Sequence, residues 1–132
     1  MPLDSAAAKA DRESSWWWEA LATGVLMLPR CNRCDRFSFP PMPTCPHCGG
    51  TSFARVEASS TGRVYSWVVV HVALDSAFAD EVPYTIAAVS LDEGARMFGR
   101  IIGPASALCA DAEVRAVVMH IDGQPQVLFE LK

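Results

Sequence analysis

Four of the five cysteines lie in two closely spaced pairs, and this pattern has the clearest chemical consequence in the chain. Cys31 and Cys34 form the first Cys-x-x-Cys pair, and Cys45 and Cys48 form the second after ten intervening residues. Two residues between cysteines allow a tight turn that directs both sulfurs at one point, and two such turns build a tetrahedral set of thiolates. A disulfide or a redox pair would need only one such pair. The spacing therefore favours a metal, for which Zn²⁺ is best suited and iron in a rubredoxin-like cage stays open.

A metal held by four protein thiolates has no free position for water or substrate, so we expect a structural role for it. The position after each knuckle favours a left-handed backbone, which Gly49 adopts readily and Asp35 tolerates.

The other residues that could do chemistry stand apart from one another. No P-loop, dinucleotide-binding fingerprint, G-x-S-x-G or H-E-x-x-H pattern is present. We expect Cys109 to be a buried structural thiol. His71 and His120 lie on predicted strands, where hydrogen-bonded structural histidines are usual, and His47 is expected to be exposed. The sequence thus indicates a binding or accessory protein without a catalytic set of its own.

Charge is distributed unevenly along the chain. Residues 30–63 carry five arginines and two acids, a net charge of +3, whereas residues 64–132 carry a net charge of −5. A nucleic-acid polymer usually requires a clear basic stripe. A local charge of +3 is small for that purpose but adequate for a small anion such as a nucleotide phosphate. Solvated surface arginines would give the same pattern.

The segment before the cysteines predicts a helix over residues 11–23. Ser14 or Ser15 can cap its start, and Gly24 suits the left-handed position after its end. Residues 16–18 are three consecutive tryptophans, which cannot all face one core because helix neighbours are about 100° apart. The tryptophans that do not face the core would be covered either by a partner protein or by a groove of the same domain.

Five segments after the cysteines are rich in Val, Ile and aromatic residues, as strands are. They are residues 61–72, 84–91, 96–102, 114–121 and 127–131. Both faces of the first are largely apolar, so we expect it to be a central strand covered on both sides. Five strands with an insert between the third and fourth suit an OB-fold barrel, and a small open sandwich would give a similar pattern.

These segments predict a mainly β protein in three parts: a tail and helix over residues 1–29, a rubredoxin-like zinc ribbon over residues 30–56, and a five-stranded OB-fold barrel over residues 57–132. No apolar run approaches the roughly 18 residues of a membrane span. The polar, alanine-rich start shows no export-signal pattern, so a cytoplasmic location is expected.

The order of short motifs resembles a known family. The motifs are W-E-A-L-x-x-G (18–24), L-x-R-C-x-x-C (28–34), F-P-P (39–41), C-P-x-C-G (45–49), T-G-x-V-Y-S (61–66) and P-Y-T-I-A-A-V-S-L-D-E-G (83–94). Together they resemble the zinc-ribbon and OB-fold family associated with acyl-CoA metabolism, formerly a domain of unknown function. The resemblance covers residues 16–131. Many relatives have glycine in place of Asp35 and a basic residue in place of Met42.

The resemblance implies a non-catalytic accessory subunit of a thiolase-superfamily enzyme that acts on acyl-CoA thioesters, by retro-aldol or thiolytic carbon–carbon cleavage or by acyl transfer. Steroid side-chain degradation, beside a hydratase, is one such setting. It also implies structural zinc on the four cysteines, and two copies of the chain on a central dimer. The ribbon and helix would pack on the partner, and the barrel would help to form the CoA entrance.

The proposed accessory role gives candidate residues for anion binding and for the partner interface. The candidates for contact with CoA or another anion are Arg33, Arg36 and Arg63. The candidates for the partner interface are Trp16, Trp17, Trp18, Leu21, Phe37 and Phe39. Two other functions are compatible with the pattern: a protein that binds single-stranded nucleic acid, and a stand-alone CoA-thioester hydrolase. The acidic charge of the barrel half disfavours the first, and the missing nucleophile and base disfavour the second.

Overall fold

The computed structural model describes residues 11–132, and the expected tail at residues 1–10 lies outside the described residues. One helix and seven strands form the regular structure of this part of the chain, with two short 3₁₀ turns, Ser76–Phe78 and Ala105–Ala107. The helix and strands are α1 (Ser15–Ala22), β1 (Met27–Cys31), β2 (Phe53–Glu57), β3 (Thr61–Val70), β4 (Tyr84–Leu91), β5 (Arg96–Ile102), β6 (Glu113–Ile121) and β7 (Gln124–Leu131).

Helix α1 is shorter than the predicted helix over residues 11–23. The chain before it forms a turn in which the Asp11 carboxylate accepts hydrogen bonds from the backbone N–H groups of Glu13 and Ser14. Ser14 occupies the N-cap position as predicted, but its side chain makes no capping bond. Gly24 follows the helix with a φ of +91°, the left-handed conformation expected of a residue that ends a helix.

The zinc ribbon is built on an antiparallel hairpin of β1 and β2, in which Met27 pairs with Glu57 and Cys31 pairs with Phe53. Strand β2 was not predicted, because its five residues carry two charged side chains and no clear alternation. The hairpin holds the first cysteine pair at the end of β1 and leaves the second pair in the connection between the strands.

The remaining five strands form a barrel in the order β3-β4-β5-β7-β6, in which only β5 and β7 run parallel. The single parallel pair and the 3₁₀ turn between β5 and β6 are the arrangement of an OB fold. The predicted fold class, mainly β with an N-terminal helix, a zinc ribbon and a five-stranded OB-type sheet, is confirmed. Closure is partial, since β3 pairs with β6 only over residues 61–63.

One hydrophobic core joins the helix, the ribbon hairpin and the barrel. Trp17 and Leu21 of α1 lie in the same buried cluster as Leu28 of β1 and as Val89 and Phe129 of the barrel. Four of these five side chains are fully buried, and Trp17 is nearly so. The continuity of this core explains why the ribbon and the barrel are held against each other.

The expectation that the first barrel strand is covered on both sides is wrong. A register shift between Val64 and Ser66 marks a β-bulge, which changes the alternation of faces that the sequence suggests. Val64 is fully buried, but Val68 is 62% exposed and Tyr65 is 60% exposed. The second half of β3 therefore presents apolar side chains to solvent.

Within residues 11–132, no helix is both long enough and apolar enough to cross a bilayer.

Candidate metal centre

The four predicted cysteines meet in a single cluster, with all four Sγ atoms within 4.8 Å of one another. The Sγ atoms of Cys31 and Cys48 are 3.5 Å apart, and those of Cys34 and Cys45 are 3.7 Å apart. Tetrahedral Zn²⁺ with Zn–S bonds of about 2.3 Å requires sulfur atoms roughly 3.8 Å apart. These two separations are near that value and all four sulfurs lie in one cluster, so the four residues can hold zinc.

Local backbone structure directs the sulfurs to that point. Asp35 and Gly49, the residues after the two knuckles, adopt φ values of +62° and +77°, in the left-handed region expected for them. The backbone N–H of Asp35 bonds the Cys31 carbonyl at 2.9 Å, and that of Gly49 bonds the Cys45 carbonyl at the same distance. Each knuckle is thus a closed turn that fixes the direction of its two cysteine side chains.

Backbone N–H groups also point at the sulfurs. The N–H groups of Arg33, His47 and Gly50 donate to the Sγ atoms of Cys31, Cys45 and Cys48 at 3.3, 3.4 and 3.4 Å. Such bonds stabilise thiolates, because they place partial positive charge beside sulfur. Gly50 also leaves room for the cluster, since a Cβ there would lie 3.2 Å from the Cys31 Sγ and 3.3 Å from the Cys48 Sγ.

The thiols affect one another's ionisation. A hydrogen bond from the Cys34 backbone lowers the pKa of Cys31 to about 7. At Cys48 the Gly50 N–H favours the thiolate, but burial and the neighbouring thiols outweigh it and raise the pKa to about 11. Four adjacent thiolates therefore need a cation to offset their repulsion, and a divalent metal supplies it. This chemistry and the sulfur geometry support structural zinc, with no position left for substrate.

The three predicted anion-binding arginines lie in different environments. Arg33 and Arg36 are exposed on the first knuckle, and a guanidinium nitrogen of Arg36 lies 3.4 Å from the His47 ring. Arg63 lies on β3 and is already engaged, because it donates to the Glu113 carboxylate and to the Asp111 carbonyl, both at 3.0 Å. The structure places Arg33 and Arg36 together and Arg63 apart from them, in an ion pair.

The six predicted interface residues are divided between core and surface. Trp17 and Leu21 are buried within this chain, and the Trp17 indole N–H donates to the Met27 carbonyl at 2.8 Å. Neither side chain is therefore available to a partner without unfolding. Trp16 and Trp18 are half-buried, with the Arg55 guanidinium 4.8 Å from the centre of the Trp16 ring.

The remaining candidates, Phe37 and Phe39, are also half-buried against the core, and the Phe39 ring lies 5.2 Å from that of Trp17. Contacts within this chain therefore bury many of the apolar side chains of the helix and of the Phe-Pro-Pro loop.

Two expectations about isolated residues need correction. Cys109 is exposed, since it follows the 3₁₀ turn on the barrel surface and only its neighbour Leu108 packs inward. His71 and His120 are exposed as well, because β3 has ended before His71 and His120 lies near the tip of the β6–β7 hairpin. His47 is exposed, as expected.

A surface that the sequence did not indicate lies on the barrel. The large apolar side chains exposed there include Tyr65, Val68, Phe98, Ile102 and Met119. Alternation of apolar residues does not reveal the bulge in β3, so the expectation of a strand covered on both sides fails there. The sequence does carry a signal at Phe98, because Phe98 shares one face of β5 with Arg96 and Arg100.

Two family models match the chain in succession. Residues 18–54 match the model described as the ChsH2 rubredoxin-like zinc ribbon domain, and residues 55–119 match the model described as the ChsH2 C-terminal OB-fold domain. A solved structure described as "Ltp2-ChsH2(DUF35) aldolase" is similar with a TM-score of 0.83 and 31% identity, over 95% of this chain and 98% of that chain.

Two curated relatives are similar over shorter segments. A "probable enoyl-CoA hydratase alpha subunit" of Thermomonospora curvata is 41% identical over 93 residues, which are 70% of this chain and 28% of the relative. A "DUF35 domain-containing scaffold protein" of Methanocaldococcus jannaschii is 42% identical over 74 residues, 55% of this chain and 52% of the relative. The chain thus spans about half or less of the length of these relatives.

The fold and the metal centre define a zinc-ribbon and OB-fold protein with a closed, structural metal site. The matches to both domains, and to nearly the whole of a solved chain, show that this chain belongs to the ChsH2 (DUF35) family. The resemblance stated from its motifs is confirmed.

Proposed function

We propose that the chain is a non-catalytic accessory subunit of a thiolase-superfamily enzyme that acts on acyl-CoA thioesters. The observation that carries this proposal is the similarity to a solved chain of an aldolase over 98% of that chain's length. The reaction of the complex would be retro-aldol or thiolytic carbon–carbon cleavage, or acyl transfer, and steroid side chains are one candidate substrate class. The partner supplies the catalytic residues.

The character of the metal centre supports an accessory role. Four thiolates occupy every position of a tetrahedral ion, so the metal can hold the ribbon in shape but cannot activate water or a carbonyl. The ribbon in turn holds the exposed first knuckle in place, and the half-buried Trp16 lies on the side of the ribbon hairpin lined by Pro29 and Arg55. In the proposed complex this side, with the Phe37 and Phe39 loop, meets the partner.

Within the complex, we place the CoA phosphates near Arg33 and Arg36. Both guanidinium groups are on an exposed turn that the metal centre keeps rigid, and neither forms a salt bridge among the described residues. Arg63 is the weaker candidate, because a phosphate would have to compete with Glu113. The barrel would contribute the rest of the entrance to the substrate site.

The assembly proposed is two copies of this chain on a central dimer of the thiolase-like enzyme, in the cytoplasm, with a hydratase as a possible third component. The hydratase component is supported by one relative, which is named as a hydratase subunit. The segment that matches this chain is a minor part of that longer protein.

Binding of single-stranded nucleic acid is the alternative function. Tyr65 and Phe98 are exposed on the barrel, and aromatic residues on an OB surface can stack with bases. Against it, residues 64–132 carry a net charge of −5, which repels a phosphate polymer.

Co-expression tests the proposal directly. The tagged chain is produced together with the thiolase-superfamily protein encoded beside its gene, and the purified material is analysed by native mass spectrometry and by acyl-CoA cleavage assay. We expect a stable complex with equal copy numbers of the two chains and activity that requires both. A chain that stays free under these conditions and binds a single-stranded oligonucleotide tightly at moderate salt would establish the alternative instead.

A further inference from the structure

The outward surface of the barrel carries an apolar area that we call the outer barrel patch. Its members are Tyr65, Val68, Ile86, Phe98, Ile102 and Met119. Phe98 is 76% exposed and Tyr65 is 60% exposed, so most of both aromatic side chains in the patch is in contact with water. Isolated apolar residues on a surface are ordinary, but a contiguous group of this kind marks an interaction site.

Strand pairing places the members of the patch on β3, β4 and β5 on one continuous face. Val68 pairs with Ile86, Ile86 pairs with Arg100, and Arg100 pairs with Leu128 of β7. Residues directly opposite each other on neighbouring strands point to the same side of a sheet. Ile101, the residue after Arg100, points to the opposite side of the sheet and is buried in the core. The row that contains Val68, Ile86 and Arg100 therefore faces outward.

The adjoining row extends the same face. Ser66 pairs with Ala88, and Ala88 pairs with Phe98, so Phe98 stands beside the first row on the outward side. At the far edge, a groove of about 630 Å³ is lined by Val69, Tyr84, Ile102, Met119 and Leu128 among others. The patch thus combines exposed apolar side chains with a concave site that can receive an anchoring side chain.

Charges of both signs border the patch, but most are paired: Glu81 with Arg100, and Glu130, which stands opposite Ile102, with Arg115. The Arg96 guanidinium lies 3.7 Å from the centre of the Tyr65 ring and has no carboxylate partner among residues 11–132. Arg100 lies over the Tyr84 ring and pairs with Glu81 at 2.6 Å. No acidic residue occupies an outward position in the rows that contain Val68 and Phe98. An occupant with free carboxylates would therefore complement Arg96.

This pattern disfavours three other occupants. A second copy of the chain would bring no carboxylate to Arg96 from the patch itself, since the rows that contain Val68 and Phe98 hold none. A nucleic-acid strand or an anionic membrane needs more positive charge than Arg96 and Arg100 supply, and the acids Asp75, Asp80 and Glu81 follow close by in the chain. A protein surface with an apolar centre and an acidic border is the complementary occupant.

We propose that the outer barrel patch is a second docking face for the partner enzyme, besides the ribbon side, and that the partner presents there an apolar surface bordered by carboxylates opposite Arg96. The inference rests on the proposed function, but it places a further interface on β3, β4 and β5, whereas the sequence pointed to the helix and the ribbon. An apolar side chain of the partner fills the groove beside Ile102, and its carboxylates pair with the free guanidinium.

Two substitutions with matched controls test the interface. Phe98→Ser removes the most exposed ring of the patch, and Leu74→Ser changes a side chain that is 100% exposed outside it. Arg96→Glu reverses the charge that the partner should neutralise, and Lys132→Glu makes the same change at an exposed position away from the patch. Zinc content and the thermal transition of each variant are measured first, and both should match those of the unaltered chain.

Binding of each variant to the purified partner enzyme is then measured by titration calorimetry. We expect the dissociation constant to rise at least tenfold for Phe98→Ser and for Arg96→Glu, and to change less than about twofold for the two controls. Added salt should weaken binding of the unaltered chain more than binding of Arg96→Glu.

The outcomes separate the two proposals. If the unaltered chain does not bind the partner at all, the proposed function is wrong. If the unaltered chain and both patch variants bind equally well, the proposed function stands and this inference is wrong. The inference is also wrong if the free chain forms a dimer that Phe98→Ser abolishes, since a second copy is then the occupant.

Discussion

The four cysteines differ in how far the protein encloses them, and this decides what their loss would do. Cys31 and Cys45 are buried, whereas Cys34 and Cys48 are half-buried. A buried ligand cannot be replaced by water without opening the turn around it. The free energy of metal binding is then coupled to the free energy of folding, because the cage does not exist in the unfolded ribbon.

We therefore expect Cys45→Ser to lose most of its zinc and to unfold the ribbon. An oxygen ligand in place of a buried thiolate weakens a site whose apparent zinc-binding free energy is about 10–16 kcal/mol in comparable peptides. Metal analysis of purified protein and the thermal transition measure the effect. Cys109→Ser is the matched control, because that thiol is exposed and outside the cage. A Cys45→Ser protein with one zinc per chain and an unchanged transition would contradict a structural metal.

A second prediction for a single residue concerns Arg36. Arg36→Ala should raise the KM of the proposed complex for its CoA thioester roughly fivefold, with little change in kcat. An exposed contact between a guanidinium and a phosphate contributes about 1 kcal/mol, which corresponds to that factor. Steady-state kinetics of the reconstituted complex give both constants.

The control for Arg36→Ala is Arg115→Ala, which removes an equally charged side chain from the Glu130 ion pair on the barrel. Equal kinetic constants for Arg36→Ala and the unaltered chain would remove Arg36 from the substrate contacts.

At the scale of elements, the sequence predicts the bounds of the barrel strands well, but it predicts poorly which of their side chains are buried. Alternation and turn residues locate 84–91 and 96–102 with the bounds that the structure shows. The spacing of the cysteines is likewise sufficient to predict their cluster. What fails is the environment of β3, because a bulge at Val64 and Ser66 depends on pairing with β4 and leaves no local signal. The bulge concerns β3 alone; the exposed Phe98, Ile102 and Met119 lie on β5 and β6, whose outward faces the described residues leave uncovered.

Packing of β5 against the Phe129 side chain of β7 requires a glycine at position 99. A Cβ at Gly99 would overlap the Phe129 ring, and this ring is fully buried in the core. We expect Gly99→Ala to reduce the free energy of unfolding by about 1–3 kcal/mol, since an overpacked core must move the ring. Denaturant titration followed by circular dichroism measures it.

A second substitution makes the cause of that loss testable. Phe129→Leu gives the new methyl group space, so Gly99→Ala should cost less in a Phe129→Leu background than in the unaltered chain. Strictly additive losses for the two changes would show that steric overlap with the ring is not the cause.

At the scale of the whole molecule, the helix is the part that makes one folding unit of the ribbon and the barrel. Helix α1 packs against both β1 and β7, so it contacts the ribbon hairpin and the barrel at once. Trp17 and Leu21, which suggested an interface from their position in the sequence, are the residues that join the two. Because Trp17 and Leu21 are buried in this shared core, the ribbon and the barrel are held together. The exposed first knuckle and the outer barrel patch therefore keep a fixed position relative to each other.

Leu21→Ala tests this coupling, because it removes a fully buried side chain from the shared core. We expect a loss of about 2–5 kcal/mol in the free energy of unfolding, as for other large-to-small core changes. Since the core is continuous, the loss should appear equally in far-ultraviolet circular dichroism, which follows the barrel strands, and in zinc release, which follows the ribbon. Leu74→Ala is the matched control, because Leu74 is 100% exposed and should leave both probes within about 0.5 kcal/mol. Separate midpoints for zinc release and barrel unfolding in the unaltered chain would show that the two parts fold independently and that α1 does not couple them.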